Sequence, residues 1–219
     1  MNQLIESFKG RKALAEHEVK EILDKYGFKT PKREVRAPGE DLGEVKLRYP
    51  LVIKASSPEI LHKTDLGAVK LNIQNYEDLK KEFSAMRKKF PDAHILIEEM
   101  VKPGVEAIIG VIDDPTFGLA VMVGLGGIYT EIYKDVSFRI IPITKDDADE
   151  MLRDLKGHKI FEGFRGIKTD RKGLINTLMK VSKLASDFEG HLSQMDLNPV
   201  FVREKDVMVV DAKMVLKQA

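Results

Sequence analysis

Near its C-terminal end the chain reads Met-Asp-Leu-Asn-Pro-Val-Phe-Val over 195–202 and Val-Val-Asp-Ala-Lys over 209–213. Both runs have the apolar, β-branched composition of strands, and together they carry Asp196, Asn198 and Asp211. A charge that is buried without a partner is very costly, so an acid among valines needs a cation or hydrogen bonds. Two oxygen-bearing side chains on neighbouring strands could hold a Mg²⁺ ion that also binds phosphate oxygens. The two runs are therefore the first indication of nucleotide chemistry.

The composition is that of a globular chain without cysteine chemistry. Of 219 residues, 43% are hydrophobic and 32% are charged, which favours one or two folded lobes over disorder. The net charge of +1 argues against a dedicated surface for nucleic acid or anionic membranes. The absence of cysteine excludes disulfides, thiolate metal sites and a cysteine nucleophile.

The sequence shows no targeting or membrane-spanning pattern. No apolar run reaches the length of a membrane span, and the first residues lack the basic flank and apolar stretch of a signal peptide. We therefore expect a soluble, cytoplasmic protein that binds neither membranes nor nucleic acid.

The periodicity of apolar residues predicts an α+β protein with two lobes. The N-terminal region 1–26 is expected to be helical and packed on the larger lobe, with helical spacing over 11–26 that ends at Gly27. The small lobe is expected over 27–91 and the larger lobe over 92–219, and the irregular alternation of strands and helices favours α+β over a doubly wound sheet. The other predicted elements are strands at 49–55, 68–73, 94–100, 106–112, 120–125 and 136–142, and helices at 76–90, 146–155 and 172–188.

Glycine-rich phosphate-binding motifs are only partly present. The chain has no G-x-x-x-x-G-K-[ST] motif, which argues against a P-loop. The run from Gly124 through Gly126 and Gly127 comes close to G-x-G-x-x-G, but Tyr129 stands where the third glycine belongs. Backbone without Cβ atoms could still approach a phosphate and present N–H donors, although a plain tight turn between strands fits the run equally well.

Lys54 interrupts an apolar strand and has two interpretations. A lysine among Leu, Val and Ile rarely points into a core unpaired. At a cleft wall it could hold nucleotide phosphates as a point charge, and otherwise it is a lysine on the outward face of its strand.

A second set of acids surrounds a predicted turn. The apolar strand from His94 ends in Glu98, Glu99 and Met100, and Glu106 follows the turn. One carboxylate could accept from an adenine amino group, the backbone of Met100 could contact the ring, and Glu106 could accept from ribose hydroxyls. A hairpin with solvated glutamates remains the alternative.

His62 lies in a polar insert that reads Leu-His-Lys-Thr-Asp over 61–65. Histidine can act as a phosphoryl acceptor or relay near neutral pH, and an ordinary loop histidine is the alternative. No His-x-x-x-His or other clustered metal-ligand spacing occurs in the sequence.

The order of these features matches that of an ATP-grasp fold: a strand lysine, an acidic hinge, a strand glutamate, a glycine-rich loop, then Asn and Asp near the end. Several stretches further resemble the β subunit of ADP-forming acetyl-CoA synthetase, or acetate–CoA ligase. The most specific are the block over 124–142 and the His-Lys-Thr-Asp segment at 62–65. The similarity spans nearly the whole chain. The β subunits of succinyl-CoA synthetase are more distantly similar, and a β subunit of that type is an alternative function.

The resemblance implies a fold, a reaction and a partner. It implies two α/β lobes with the nucleotide between them, in an enzyme that interconverts acyl-CoA, ADP and phosphate with free acid, CoA and ATP. An α subunit would carry the CoA-binding domain and a phosphohistidine, in an α2β2 heterotetramer. This chain would exchange the phosphoryl group with ADP or ATP in the presence of Mg²⁺, and would be active only with that partner.

The resemblance also implies roles for individual residues. Asn198 and Asp211 would bind Mg²⁺, His62 would relay the phosphoryl group, and Asp196 would orient the incoming phosphohistidine. The implied nucleotide contacts are Lys54, Glu98, Met100, Glu106, Gly126, Gly127 and Arg139, with Glu131 as a further candidate near the phosphates.

Two other function classes fit the sequence. One is a self-contained ATP-grasp ligase that activates a carboxylate with ATP, which predicts turnover by the isolated chain. The other is a non-catalytic nucleotide-binding or scaffolding subunit, which predicts ADP binding and no loss of activity when His62 is changed to Ala.

Overall fold

The computed structural model describes residue 8 and the ranges 10–60, 66–127 and 134–218. The helices are α1 (Glu16–Lys25), α2 (Tyr76–Lys89), α3 (Lys145–Asp154) and α4 (Arg171–Asp187), with short 3-10 turns at His158–Glu162 and Phe164–Gly166. The strands are β1 (Ala13–Leu14), β2 (Arg33–Arg36), β3 (Leu51–Ser56), β4 (Val69–Ile73), β5 (His94–Glu99), β6 (Val105–Asp114), β7 (Gly118–Leu125), β8 (Val136–Ile140), β9 (Leu192–Val202), β10 (Val207–Val209) and β11 (Ala212–Leu216). Of the helices in these ranges, none combines the length and apolar character needed to cross a membrane.

The chain divides into two compact units. The smaller unit comprises 15–18 and 31–102, and the larger comprises 1–14, 19–30 and 103–219. The smaller unit contains a four-stranded antiparallel sheet in the order β2-β5-β3-β4. Helix α2 buries Leu79 and Phe83 against the inward residues of this sheet, such as Ile53 and Ile97. Asn75 begins the helix by accepting a hydrogen bond from the backbone N–H of Asp78 at 2.9 Å.

The boundary between the units differs from the predicted one. The prediction placed 92–102 in the larger lobe, but β5 pairs with both β2 and β3 in the smaller sheet. The division follows Lys102 instead of Pro91. The partner of a strand depends on segments that are distant in the sequence, so the local pattern of His94–Glu99 does not specify it.

The larger unit is built on a seven-stranded sheet. Its order is β1-β11-β9-β6-β7-β8, with β10 paired to β9. Along β6 the side chains alternate between the two faces, and Ile109 and Val111 face the core that α3 and α4 complete. Helix α4 contributes Leu174 and Leu178 among other buried residues.

The predicted helix at the start of the chain is shorter than expected. Ala13 and Leu14 form β1, where they pair with Val215 and Met214 of β11, and α1 begins only at Glu16. Their apolar character fits a strand as well as a helix. They form a strand because β11 offers them backbone hydrogen bonds at the edge of the larger sheet. The helix ends before Gly27, whose φ of +71° is the left-handed conformation that favours glycine.

Candidate functional site

Asn198 and Asp211 lie side by side in the larger unit. Asn198 is on β9, and Asp211 stands in the two-residue interval between β10 and β11, which both pair with β9. The backbone N–H of Asn198 donates to the carbonyl of Asp211 at 3.2 Å, and the N–H of Val210 donates to the carbonyl of Pro199 at 3.0 Å. The strand adjacency predicted for these two residues is therefore present.

The donor set of this pair suits a hard divalent cation. One carboxylate and one carboxamide supply oxygen ligands, which is the chemistry that Mg²⁺ prefers. The Asn198 residue is exposed and Asp211 is half-buried, so solvent and phosphate oxygens can complete the coordination. Within the described ranges, no group of three or more His, Cys, Asp or Glu residues is arranged to hold a metal.

Asp196 belongs to the same stretch of β9. It pairs with Lys213 on β11 and with Gly110 on β6, and it is half-buried. Because strand residues two positions apart point to the same face, Asp196 and Asn198 share a face of the sheet. An acid accordingly lies next to the candidate metal ligands.

Lys20 is a buried residue near this site that the sequence reasoning missed. Its side chain is fully buried in the larger unit, and its Nζ donates to the carbonyl of Val210 at 2.8 Å. The ammonium therefore fixes the backbone immediately before Asp211. Lys20 is three residues before the buried Leu23 on α1, so helical spacing was the signal that could have found it.

The glycine run contacts Glu106. The N–H of Gly126 donates to the carbonyl of Glu106 at 2.8 Å, and a Cβ atom added to Gly126 would lie 2.8 Å from the Cβ of Glu106. At Gly127 the φ is +64°, and a Cβ there would lie 3.2 Å from Oε2 of Glu106. Both glycines are thus required by geometry, and the structure brings together three of the predicted nucleotide contacts.

Lys54 occupies the interior of the smaller unit. Its Nζ lies 2.6 Å from Oε1 of Glu16 and 3.0 Å from Oε2 of Glu98, and all three side chains are buried. The alternative of an outward-facing lysine is therefore wrong. Glu98, predicted to accept from an adenine amino group, is an ion-pair partner of this lysine, and Glu16 is a partner that the sequence reasoning missed.

Met100 follows the end of β5 in the smaller unit. Its backbone N–H donates to the carbonyl of Pro50 at 2.9 Å. This N–H is therefore already used within the unit, and a contact between the Met100 backbone and a base would have to be made by its carbonyl.

Comparison with known proteins shows which family this chain belongs to. The family model for the ATP-grasp domain matches residues 7–216, which is nearly the whole chain. The chain belongs to the ATP-grasp family.

Two curated ATP-grasp relatives show how this domain occurs in other proteins. The β subunit of acetate–CoA ligase [ADP-forming] II from Pyrococcus furiosus is 45% identical over 220 residues, covering 95% of this chain and 93% of the relative. Acetate–CoA ligase [ADP-forming] II from Archaeoglobus fulgidus is 38% identical over 212 residues, covering 93% of this chain but 30% of the relative. The same ATP-grasp domain thus occurs as a separate subunit and as part of a longer chain.

A solved structure supports the same family. Acetyl-coenzyme A synthetase 1 of Ca. Korarchaeum cryptofilum, in complex with coenzyme A and Mg-AMPPCP, has a TM-score of 0.81 and 35% identity. The match covers 95% of this chain and 94% of that one, and a phosphohistidine segment in that structure points towards the nucleotide-binding site.

Arg139 forms ion pairs with a helix of its own unit, where a phosphate contact was predicted. Its guanidinium lies 2.9 Å from Oδ2 of Asp154 and 3.6 Å from Oε2 of Glu150, both on α3. The register aligns Arg139 with Val121 and, through it, with Val111 and Met195, which face the core. Met195 is directly before Asp196 on β9, so Arg139 and Asp196 lie on opposite faces of the sheet. Hydrogen bonds from Arg139, and next from Ser137, lower the pKa of Asp154. The prediction that Arg139 contacts phosphate is corrected on this ground, because its strand position directs it towards α3.

Two candidates of the ATP-grasp chain lie outside the described residues. They are His62, the predicted phosphoryl relay, and Glu131, a further candidate near the phosphates. Both remain predictions from the sequence.

Proposed function

We propose that this chain is the nucleotide-binding β subunit of an ADP-forming acyl-CoA synthetase. It would transfer a phosphoryl group between a phosphohistidine of a separate subunit and ADP or ATP. The observation that carries the proposal is the Asn198–Asp211 pair, with Asp196 on the same sheet face, in a chain of this family. The relatives named as β subunits of acetate–CoA ligase supply the reaction class.

The larger unit would hold the metal and the phosphates. Asn198 and Asp211 are the proposed Mg²⁺ ligands, and Gly126 and Gly127 present backbone without Cβ atoms beside Glu106. The cation would neutralise the charge of the phosphate oxygens. Phosphoryl transfer needs positioned charge and little covalent chemistry from the protein, which is what these groups supply.

Asp196 and His62 are the proposed catalytic residues. A carboxylate beside the metal site can accept a hydrogen bond from an imidazole nitrogen and so orient a visiting phosphohistidine. His62 is proposed as a relay on the strength of its sequence resemblance alone.

The smaller unit would contribute Lys54, Glu98 and Met100 as nucleotide contacts. Lys54 and Glu98 are proposed on the sequence resemblance alone, since the structure pairs the buried ammonium of Lys54 with the carboxylates of Glu16 and Glu98. The base would be contacted by the carbonyl of Met100, because its N–H donates to Pro50.

The partner would be a CoA-binding α subunit, assembled with this chain as an α2β2 heterotetramer. The name of the Pyrococcus furiosus relative as a β subunit supports a second kind of subunit. Light scattering of the mixed subunits measures the mass of the complex. A mass other than that of two copies of each chain would contradict the proposed α2β2 heterotetramer.

Formation of ATP from acetyl-CoA, ADP and phosphate tests the proposal. We expect activity when this chain and a candidate α subunit are combined, and none with either alone. Changing Asp211 to Asn should lower the Mg²⁺-dependent rate at least 100-fold, about the size of the effect of removing one preorganised charged contact. The control is Asp92→Asn, at an exposed loop carboxylate, which should leave the rate unchanged.

Three outcomes would contradict this function. They are turnover by the isolated chain, absence of phosphoryl transfer from phosphorylated α subunit to ADP, and an Asp211→Asn variant as active as the Asp92→Asn control. The first would favour a self-contained ligase and the second a non-catalytic nucleotide-binding subunit.

A further inference from the structure

One face of the larger sheet carries a row of apolar side chains that the proposed chemistry does not use. The register aligns Ile112 with Ala120 and then Ile140, and in the neighbouring row it aligns Met122 with Phe138. We call Ile112, Met122, Phe138 and Ile140 the apolar patch. Residues directly opposite each other on adjacent strands point to the same face, so the four side chains lie together.

The apolar patch is exposed, unlike the opposite face of the same strands. The exposed fractions are 44% for Ile112, 51% for Phe138 and 56% for Ile140, while the neighbouring Val111 and Val121 are fully buried. Helices α3 and α4 complete the core on the side of Val111 and Val121. A group of large apolar side chains exposed on one face of a sheet marks an interaction surface more often than chance exposure does.

The patch is continuous with the residues proposed for phosphoryl transfer. Asp196 pairs with Gly110, Gly110 pairs with Met122, and Met122 pairs with Phe138, so one row crosses β9, β6, β7 and β8. At a strand spacing of about 4.8 Å, Phe138 lies roughly 14 Å from Asp196. A molecule seated on the patch would therefore be able to present a segment to Asp196.

The relatives indicate which molecule has to be held near this domain. In the Archaeoglobus fulgidus ligase the matching domain is 30% of a single chain, whereas in the Pyrococcus furiosus enzyme it is 93% of a chain named as a β subunit. Where the domain is a separate chain, the rest of the enzyme must be held by a non-covalent surface. In the Korarchaeum structure a phosphohistidine segment points towards the nucleotide-binding site. That segment needs the chain that carries it to be close to the site.

We propose that the apolar patch is the docking surface for the separate subunit that carries the phosphohistidine. The inference rests on the proposed function, which requires that subunit, and adds the surface that holds it. Its contact would be apolar, because Ile112, Phe138 and Ile140 are large apolar side chains that the chain leaves exposed, and Phe138 and Ile140 on the edge strand β8 would be its main anchors.

The test compares a patch variant with a matched control. The patch variant is Phe138→Asn with Ile140→Thr, and the control is Leu71→Thr, at a β4 residue of the smaller unit that is 57% exposed. Binding of a purified candidate α subunit is measured by calorimetry, and ADP binding in the presence of Mg²⁺ verifies that each variant is folded. We expect the patch variant to bind the α subunit at least tenfold more weakly, since buried aromatic anchors dominate interfaces. The control and wild-type affinities should agree within twofold, and all three proteins should bind ADP equally.

Activity separates this inference from the proposed function. With the α subunit in excess, the patch variant should recover the wild-type rate of ATP formation, so only the α-subunit concentration needed for half-maximal rate increases. If wild type binds the α subunit but forms no ATP, the proposed function fails, and the patch is judged by binding alone. Unchanged α-subunit affinity of the patch variant would overturn the inference. A second result would also overturn it: the isolated wild-type chain is a dimer, the patch variant is a monomer, and the variant still binds the α subunit. The patch would then be the interface with a second copy of this chain.

Discussion

Replacing Lys54 by Met should destabilise the smaller unit strongly, because it leaves two carboxylates buried without their cation. Glu16 and Glu98 lie 2.6 and 3.0 Å from Nζ of Lys54, and their side chains are 1% and 2% exposed. Breaking a buried ion pair by removing one partner costs about 3–5 kcal/mol, and here one lysine serves two acids. We therefore expect the free energy of unfolding to fall by about 4 kcal/mol.

Urea unfolding at pH 7 with circular dichroism measures this change. The control is Lys70→Met on the neighbouring strand β4, whose 55% exposed side chain forms a 3.7 Å ion pair with Glu82 and should contribute at most about 1 kcal/mol. The triple variant Lys54→Met, Glu16→Gln, Glu98→Gln should recover most of the loss, because it removes the buried charges along with their cation. Equal effects at Lys54 and Lys70, or no recovery in the triple variant, would refute the reasoning.

Two further predictions concern the larger unit. Gly126→Ala should lower the free energy of unfolding by about 1–3 kcal/mol, because the new Cβ would lie 2.8 Å from the Cβ of Glu106 and 3.1 Å from its backbone carbon; an unchanged thermal midpoint would contradict this. Arg139→Met should reduce stability at pH 7 but not at acid pH. The hydrogen bond from Arg139 lowers the pKa of Asp154 below its ordinary value of 3.8 in the folded protein, so the stabilisation is present above 3.8 and is lost as the pH falls below it. Urea unfolding at pH 7 and pH 3 should show a small gap between wild type and variant that closes at the lower pH, small because the pair is partly exposed; a gap that widens would refute the assignment.

Much of the secondary structure followed from local patterns. The short apolar runs of β3 and β7 and the apolar face of α4 specify a strand or a helix within a few residues, and the observed elements start and stop close to their predicted ends. The adjacency of Asn198 and Asp211 was also accessible, because both lie in strand-like runs separated by a short connection.

Other features depended on partners distant in the chain. The boundary prediction failed at β5, whose apolar pattern fits either sheet until its pairing with β2 and β3 is known. The prediction for Arg139 failed because its face of the sheet depends on the register with β7 and on the acids of α3. The sequence left an outward-facing Lys54 open, because its partner Glu16 is 38 residues away and the local pattern does not show that the two side chains meet.

By itself the sequence determined the residue types of the candidate site, the strand and helix segments and the resemblance to the ATP-grasp family, because these depend on local periodicity and on motifs. Only the tertiary structure decided that Lys54 is buried between two glutamates, that Lys20 holds the backbone before Asp211, and that an apolar patch shares a sheet face with Asp196. The physical reason is that burial and charge pairing depend on which distant segments meet. Strand register decides this through backbone hydrogen bonds, which every residue type except proline can make in full.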